Sequence, residues 1–159
     1  MEQIKKKLAE LGIQYTQHNH PQVHTCDDAT LHCADISGIR SKNLFLRNQK
    51  GKKHFLVIIE ADKQANLKAI AEQVGEHKLS FASENRLKKY LNVTPGSVSP
   101  FGLIFDIEKN VEVVISQSLL DAADQQFHPN DNTETLAVST QDFRLFLDST
   151  QNKITTMPF

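Results

Sequence analysis

Tryptophan is absent from the 159 residues, cysteine occurs twice, and the longest strongly apolar run, Phe55 to Ile59, is five residues. A bilayer-spanning helix needs about 20 apolar residues, so the short run excludes one and no membrane partner is expected. Cys26 and Cys33 form neither a close-spaced metal pair nor a framework of bridges, and free thiols in a reducing compartment are the default. The opening Met1-Glu2-Gln3-Ile4-Lys5-Lys6-Lys7 lacks the apolar core of an export signal, which makes a cytoplasmic location the expectation. Net charge is also nearly missing, at −1 with histidines neutral, so the molecule as a whole is not built to hold a polyanion. No Gly-x-Gly-x-x-Gly, phosphate loop, His-Glu-x-x-His or Gly-x-Ser-x-Gly occurs, so dinucleotide, P-loop, zincin and serine-hydrolase chemistry lack their motifs. No cofactor is expected.

What the chain does have is a globular balance, 39% apolar and 23% charged, at a length that suits one domain over residues 1–159. Its charge is unevenly spread. Between Ile36 and Ile59 stand Arg40, Lys42, Arg47, Lys50, Lys52 and Lys53 with no acid, whereas Asp121, Asp124, Asp131, Glu134, Asp142 and Asp148 crowd the region after Leu119. A one-sided field of this kind holds a local phosphate partner, or simply keeps a lysine-rich hairpin tip soluble.

Ile4, Leu8 and Leu11 are spaced for one helical face, with Gly12 as the stop, and Ile13 to Thr16 reads as a short strand. Thr25 or Asp27 would cap a short helix reaching Cys33, ended by Ser37-Gly38. Lys42 to Arg47 and Lys53 to Glu60 form the clearest hairpin, joined through Asn48-Gln49-Lys50-Gly51. The unbroken apolar character of Phe55 to Ile59 predicts a central strand buried on both faces. Asn66 to Val74 is a helix closed by Gly75, Lys78 to Ala82 a strand, and Ser83 caps a helix reaching Leu91. Leu103 to Phe105 and Val111 to Ile115 read as antiparallel strands, Ser118 to Ala123 as a helical turn, and Thr133 to Val138 as the last strand. Ser139 with Asp142 then caps a helix turning Phe143, Phe146 and Leu147 inward. The order predicts an α+β (mixed α/β) fold, a central mixed β-sheet with surrounding helices.

The stretch from Leu87 to Phe105 organises the rest. A helix carrying Arg86, Lys88 and Lys89 runs out at Asn92 into Thr94-Pro95-Gly96-Ser97-Val98-Ser99-Pro100-Phe101-Gly102. Two prolines and two glycines in those nine residues form an ordered turn, the wall of a pocket or a plain connector. His18, His20, His24 and Cys26 cluster in sequence, yet their spacing matches no closed zinc site, and no metal is expected. His128 in Phe127-His128-Pro129-Asn130 could orient substrate or water, or simply bond the following turn. Lys42, at the mouth of a strand, is placed to meet a phosphate or an acyl carbonyl.

Five separated segments now resemble one family. They are Lys42-Asn43-Leu44-Phe45-Leu46-Arg47, Lys52 to Val57, Leu79-Ser80-Phe81-Ala82-Ser83 with Leu87, Leu91 to Ile104, and Phe127-His128-Pro129-Asn130 with Asn132-Thr133. Together they are similar to the YbaK/prolyl-tRNA-synthetase-associated editing domain family, in its free-standing PrdX/ProX-like branch, over Thr25 to about Leu147. The resemblance implies a YbaK-like fold and trans-editing, the hydrolysis of the ester joining a wrong amino acid, most often alanine, to the proline tRNA.

Carried over by motif, Lys42 and Asn43 match the family's active-site lysine and asparagine. Gly96 to Pro100, with Ser97, Val98 and Ser99 between, matches its Gly-x-x-x-Pro loop, and His128 its histidine. Lys42 would steady the terminal phosphate or the oxyanion, and Asn43 would fix the ribose or ester. The substrate's vicinal ribose hydroxyl would position water. Candidate pocket walls are Val23, Cys26, Leu31, Cys33, Phe45, Ile58 and Pro100, with ordinary core the stronger reading for Phe45 and Ile58. Arg40, Arg47, Lys50, Lys52, Lys53, Arg86, Lys88 and Lys89 would carry the acceptor stem. Phe105, His24 and Cys26 depart from the family pattern, which leaves cysteinyl or seryl tRNA as other substrates. A catalytically silent tRNA- or synthetase-binding regulator is the remaining alternative. Mischarged tRNA is the expected partner, with prolyl-tRNA synthetase or an elongation factor as a source of substrate.

Overall fold

The computed structural model describes residues 2–21, 38–129, 131 and 133–158. Helix α1 (Glu2–Glu10) buries Ile4 and Leu8 and stops at Gly12, which takes φ 72°. Strand β1 (Tyr15–Asn19) begins two residues later than Ile13. Ile13 instead closes the helix end, its N–H donating to Leu8 O at 2.9 Å while its side chain is buried. Strands β2 (Ile39–Asn48) and β3 (His54–Glu60) form the expected hairpin, and β3 is buried along its whole length except Glu60. That unbroken burial follows from its place between β2 and β5 with side chains covered on both faces.

The next elements start and stop where their capping chemistry dictates. Asn66 accepts from Ala69 N–H to open α2 (Leu67–Val74), which Gly75 closes at φ 76°. After β4 (Leu79–Phe81), Ser83 opens α3 (Glu84–Leu91) and Asn92 closes it in the left-handed region. Leu103 to Phe105 is not the expected strand. Pro100 at the first position and the Ser99 hydroxyl accepting from Phe101 N–H start a 3-10 helix (Pro100–Phe105) that seats Phe101 and Leu103 in the core. A short run of consecutive apolar residues does not distinguish a 3-10 helix from a strand, and the proline decides.

Strand β5 (Val111–Ser116) leads to α4 (Gln117–Asp121), β6 (Asp124–Phe127), β7 (Glu134–Ser139), α5 (Thr140–Thr150) and β8 (Ile154–Met157). β6 and β8 were not expected, so Thr133 to Val138 is not the last strand. The eight-stranded sheet runs β1-β7-β6-β2-β3-β5-β8, with β4 on the second edge of β2. β3, β5 and β8 are parallel to one another, as are β2 and β6, while the other neighbours are antiparallel. This is a mixed sheet with helices around it.

Two apolar layers hold the sheet. On one face α1, α3, the 3-10 helix and α5 enclose Phe45, Leu56, Ile58, Val113, Leu136 and the aromatic group Phe101, Phe127, Phe143 and Phe146. The Phe101 ring meets Phe127 and Phe146 edge-on at 5.8 and 5.1 Å. On the other face Ile70 and Ala71 of α2 cover Leu46, Phe55, Val57, Ile59 and Val114.

Candidate functional site

Lys42 and Asn43 are consecutive on β2, where the register with β3 is unbroken from Ser41–Glu60 to Arg47–His54. Successive side chains of a strand point to opposite faces. Asn43 shares a face with Phe45 and the larger core, whereas Lys42 shares one with Leu44 and Leu46 and the α2 layer. Lys42 is partly buried, and among the described residues no carboxylate pairs with it. A cation held partly out of water without a counter-ion suits an anionic ligand.

The turn after α3 is built as its sequence demands. Ser97 N–H donates to Thr94 O at 3.2 Å, with Pro95 and Gly96 between and Gly96 at φ 90°, the positive φ that favours glycine. Gly96 itself is exposed, Ser97 and Ser99 are buried, and Val98 packs on the Phe45 side of the sheet. Pro100 is buried at the start of the 3-10 helix, and Phe45 is 4% exposed, a core side chain like Ile58.

His128 follows β6, and its Nδ1 lies 2.7 Å from Glu134 O. A carbonyl only accepts, so Nδ1 carries the proton and Nε2 keeps its lone pair in the neutral ring. Burial pushes the His128 pKa below the ordinary imidazole value and His20 adds to that, against the opposing pull of the Glu134 carbonyl and Asp131. The neighbouring His20 ring stands edge-on at 6.0 Å. His20 is fixed in turn by Pro21 O at Nδ1 (2.8 Å) and the Thr135 hydroxyl at Nε2 (2.7 Å). The histidine-rich stretch thus supplies a companion to His128. Among the described residues no group of three or more His, Cys, Asp or Glu is placed to hold a metal.

No hydrogen bond or ion pair among the described residues joins Lys42, the Gly96 turn and His128 directly; they stand at separate elements around β2 and β6. Val23, Cys26, Leu31 and Cys33, with His24 and the Asn130 of the His-Pro-Asn turn, lie outside the described residues. A separate cleft of about 380 Å³ runs along β1, β7 and the start of α5, lined by Tyr15, Asp124, Ser139 and Asp142 among others, and includes none of the expected site residues.

The basic residues divide into two kinds. Lys50, Lys52, Lys53, Lys88 and Lys89 are exposed, Lys53 with a long ion pair to Glu76 at 3.8 Å and Lys89 over the Tyr90 ring at 5.1 Å. Arg40 is partly buried on β2. Arg47 donates to Asn48 O at 3.2 Å, and Arg86 has an architectural role: its Nη1 reaches Gly51 O at 2.9 Å and His54 Nε2 at 2.8 Å. Arg86 thereby ties α3 to the hairpin turn, where Gly51 at φ 69° leaves a Cβ only 2.8 Å from Arg86 Nη2.

Because guanidinium only donates, His54 Nε2 must accept, and the ring stays neutral between Phe45 and Tyr90. Burial, then Arg86, Lys89 and Arg47, lower its pKa to about 4, with Asp106 opposing. An unfolded histidine takes up its proton near pH 6.5, which the folded ring refuses until about pH 4. Stability is therefore full above pH 6.5 and falls as pH drops toward 4, by roughly 2–3 kcal/mol. Urea midpoints between pH 7 and 4.5 should fall accordingly and flatten in His54→Gln, which keeps an acceptor for Arg86. Equal slopes in both proteins would remove His54 as the cause.

Sequence reading passed over one further polar group. Ser118 donates to the Glu60 carboxylate, Ser116 and Ser118 hydroxyls lie 2.9 Å apart, and Lys63 pairs with Glu60 at 3.0 Å. The Ser118 bond, then the Lys63 bond, hold the Glu60 carboxyl below its usual pKa. Glu60 ends β3 opposite Ser41, one residue before Lys42, and only the strand register could have revealed that.

The mixed sheet with its surrounding helices is in place, and residues 20–146 match the aminoacyl-tRNA editing domain family. The chain belongs to that family. It is 41% identical over 148 residues to the prolyl-tRNA editing protein ProX of Acetoanaerobium sticklandii, covering 92% of this chain and 89% of that one. It is also 32% identical to the mouse prolyl-tRNA synthetase associated domain-containing protein 1, over 93% and 89% of the two chains. A crystal structure described as a candidate trans-editing enzyme for prolyl tRNA synthetase superposes with a TM-score of 0.74 at 14% identity, covering 98% of this chain and 94% of the other. At that identity the likeness speaks for the fold alone.

Proposed function

We propose that this protein is a trans-editing aminoacyl-tRNA deacylase, hydrolysing the ester between a wrong amino acid and the 3′-terminal ribose of tRNA, with alanine on the proline tRNA as its main substrate. The observation that carries the reading is the editing-domain match over residues 20–146, supported by 41% identity to a prolyl-tRNA editing protein along nearly the whole chain. An aminoacyl ester is already activated, so a site works by holding it beside water and stabilising developing charge, with no covalent intermediate. Lys42 meets the terminal phosphate on its face of β2, the backbone of Gly96 to Ser99 shapes the oxyanion site on the other, and the neutral His128 offers Nε2 to a hydroxyl of the substrate. The vicinal ribose hydroxyl positions the water, which fits the lack of an obvious protein base.

Alanine presents one methyl group, and proline a ring closed onto its nitrogen. A small rigid pocket therefore rejects the cognate product by overlap, whereas accepting an extra methylene gains only about 1–3 kcal/mol. The acceptor stem rests on the exposed lysines of the β2–β3 turn and α3. The protein acts in the cytoplasm as one domain, on tRNA delivered by prolyl-tRNA synthetase or an elongation factor. No helix among the described residues is long and apolar enough to cross a membrane.

A panel of alanyl-, seryl- and cysteinyl-tRNA tests the assignment. Alanine release from the proline tRNA should be fastest, and no release from any of them would leave the silent-regulator alternative. Under subsaturating tRNA the rate should fall steeply between 50 and 200 mM salt, as expected for phosphate contacts, by roughly tenfold or more. A rate indifferent to salt would remove the lysines from binding.

A further inference from the structure

The hydrogen-bonding phase of β2 is fixed at both ends of its pairing with β3. Asn48 N–H donates to Lys53 O, and Ala61 N–H to Arg40 O, each at 3.0 Å. With Ser41 opposite Glu60 and Arg47 opposite His54, the even-numbered residues of β2 exchange bonds with β3. Odd-numbered residues turn their N–H and C=O groups to the other edge. There Phe45 O receives Ala82 N–H at 2.9 Å and Arg47 faces Ser80 of β4. At the opposite end β6 pairs with Ile39 and Arg40 only. Asn43 falls in the gap where β4 has turned away into α3 and β6 has stopped pairing.

Among the described residues no strand pairs with this edge of Asn43. Its side chain repeats the pattern: Oδ1 is buried without a partner, and Nδ2 has only a 3.4 Å contact to the Ser41 hydroxyl. Buried polar groups normally find partners, and one that does not invites a ligand. Asn43 offers this edge two acceptors, its main-chain carbonyl and Oδ1, alongside one main-chain N–H. The β2 residues facing the same side, Ser41 and Phe45, carry no positive charge. Glu60 stands opposite Ser41 on β3, already engaged by Lys63 and Ser118. Two acceptors without partners among the described residues, in a notch beside an uncharged stretch of this face of β2, suit a ligand with more than one N–H donor.

We propose that this notch receives the α-ammonium group of the amino acid carried by the tRNA, on Asn43 O and Oδ1. The proposal rests on the deacylase reading and deepens it. Strand alternation then keeps the two ends of the substrate apart: phosphate toward Lys42 on one face, ammonium toward Asn43 on the other. A ribose hydroxyl, with a single O–H, is the competing occupant.

The test compares alanyl-tRNA(Pro) with N-acetylalanyl-tRNA(Pro), whose amide is neutral and retains one N–H. The wild type should prefer the free amine by about tenfold or more, the scale of a charge-assisted hydrogen bond. Asn43→Ala should shrink that ratio severalfold, the main-chain carbonyl keeping part of it, while Asn43→Asp, which retains an acceptor, should preserve it. Circular dichroism of each variant separates misfolding from lost recognition. An unchanged ratio in Asn43→Ala, or a wild type indifferent to acetylation, overturns the proposal and leaves the notch to the ribose. A wild type that releases no alanine at all overturns the deacylase reading itself, a result seen before any variant is made.

Discussion

Replacing Lys42 by alanine should lower kcat/KM for alanyl-tRNA(Pro) by about 10- to 100-fold, the cost of losing one charge-assisted contact to the phosphate that positions the ester. Its position explains the size of the effect. Lys42 is partly buried on a central strand, and among the described residues no acid neutralises it. The folded protein has little use for such a charge, so its removal should leave the urea midpoint within about 0.5 kcal/mol of wild type. Lys42→Arg, which keeps the charge with a different shape, should recover only part of the rate. Unaltered turnover in Lys42→Ala would take the residue out of the mechanism, and a large loss of stability would make its role structural.

Asp106→Ala should be the most destabilising single change away from the site, at about 3–5 kcal/mol. The carboxylate is 3% exposed and collects three donors: Asn110 N–H at 3.0 Å, Val111 N–H at 2.8 Å and Asn152 Nδ2 at 2.9 Å. Asn152 also donates to Val111 O at 2.7 Å, so one acid joins the end of the 3-10 helix, the start of β5 and the turn between α5 and β8. Alanine would strand these donors in a closed interior. Denaturation should show the loss directly, with Asp106→Asn milder because one acceptor oxygen remains. A loss below about 1 kcal/mol would mean that water replaces the carboxylate.

Legibility of the fold in the sequence followed chemical type. The β2–β3 hairpin, α2 and α3 were legible because turn residues, caps and apolar periodicity agree there, as with Asn66 and Gly75 around α2. β6 was hidden because two of its three buried positions are glutamines. Gln125 is fully buried, held through its Nε2, which donates to Leu119 O and the Thr140 hydroxyl, and a buried polar residue leaves no hydrophobic pattern. β8 was hidden because the parallel partner that makes Ile154 to Met157 a strand, β5, lies some 40 residues earlier in sequence.

The site was legible only in part. Lys42, Asn43, the Gly96 turn and His128 are candidates that the family resemblance supplied. The Arg86–His54 contact, the Glu60–Ser118 pair and the His20 beside His128 depend on register and long-range packing, which no local pattern encodes. Arg86 is instructive, since a basic residue on a helix facing the hairpin looks like an RNA contact until the hairpin carbonyl is seen to occupy it.

Which ester the protein cuts defines its function. The same proline tRNA charged with alanine or with proline, incubated with wild-type protein at equal concentration, decides it. Alanine release well above spontaneous hydrolysis, with prolyl ester left intact, is the expected result. Equal release of both amino acids, or of neither, would contradict it.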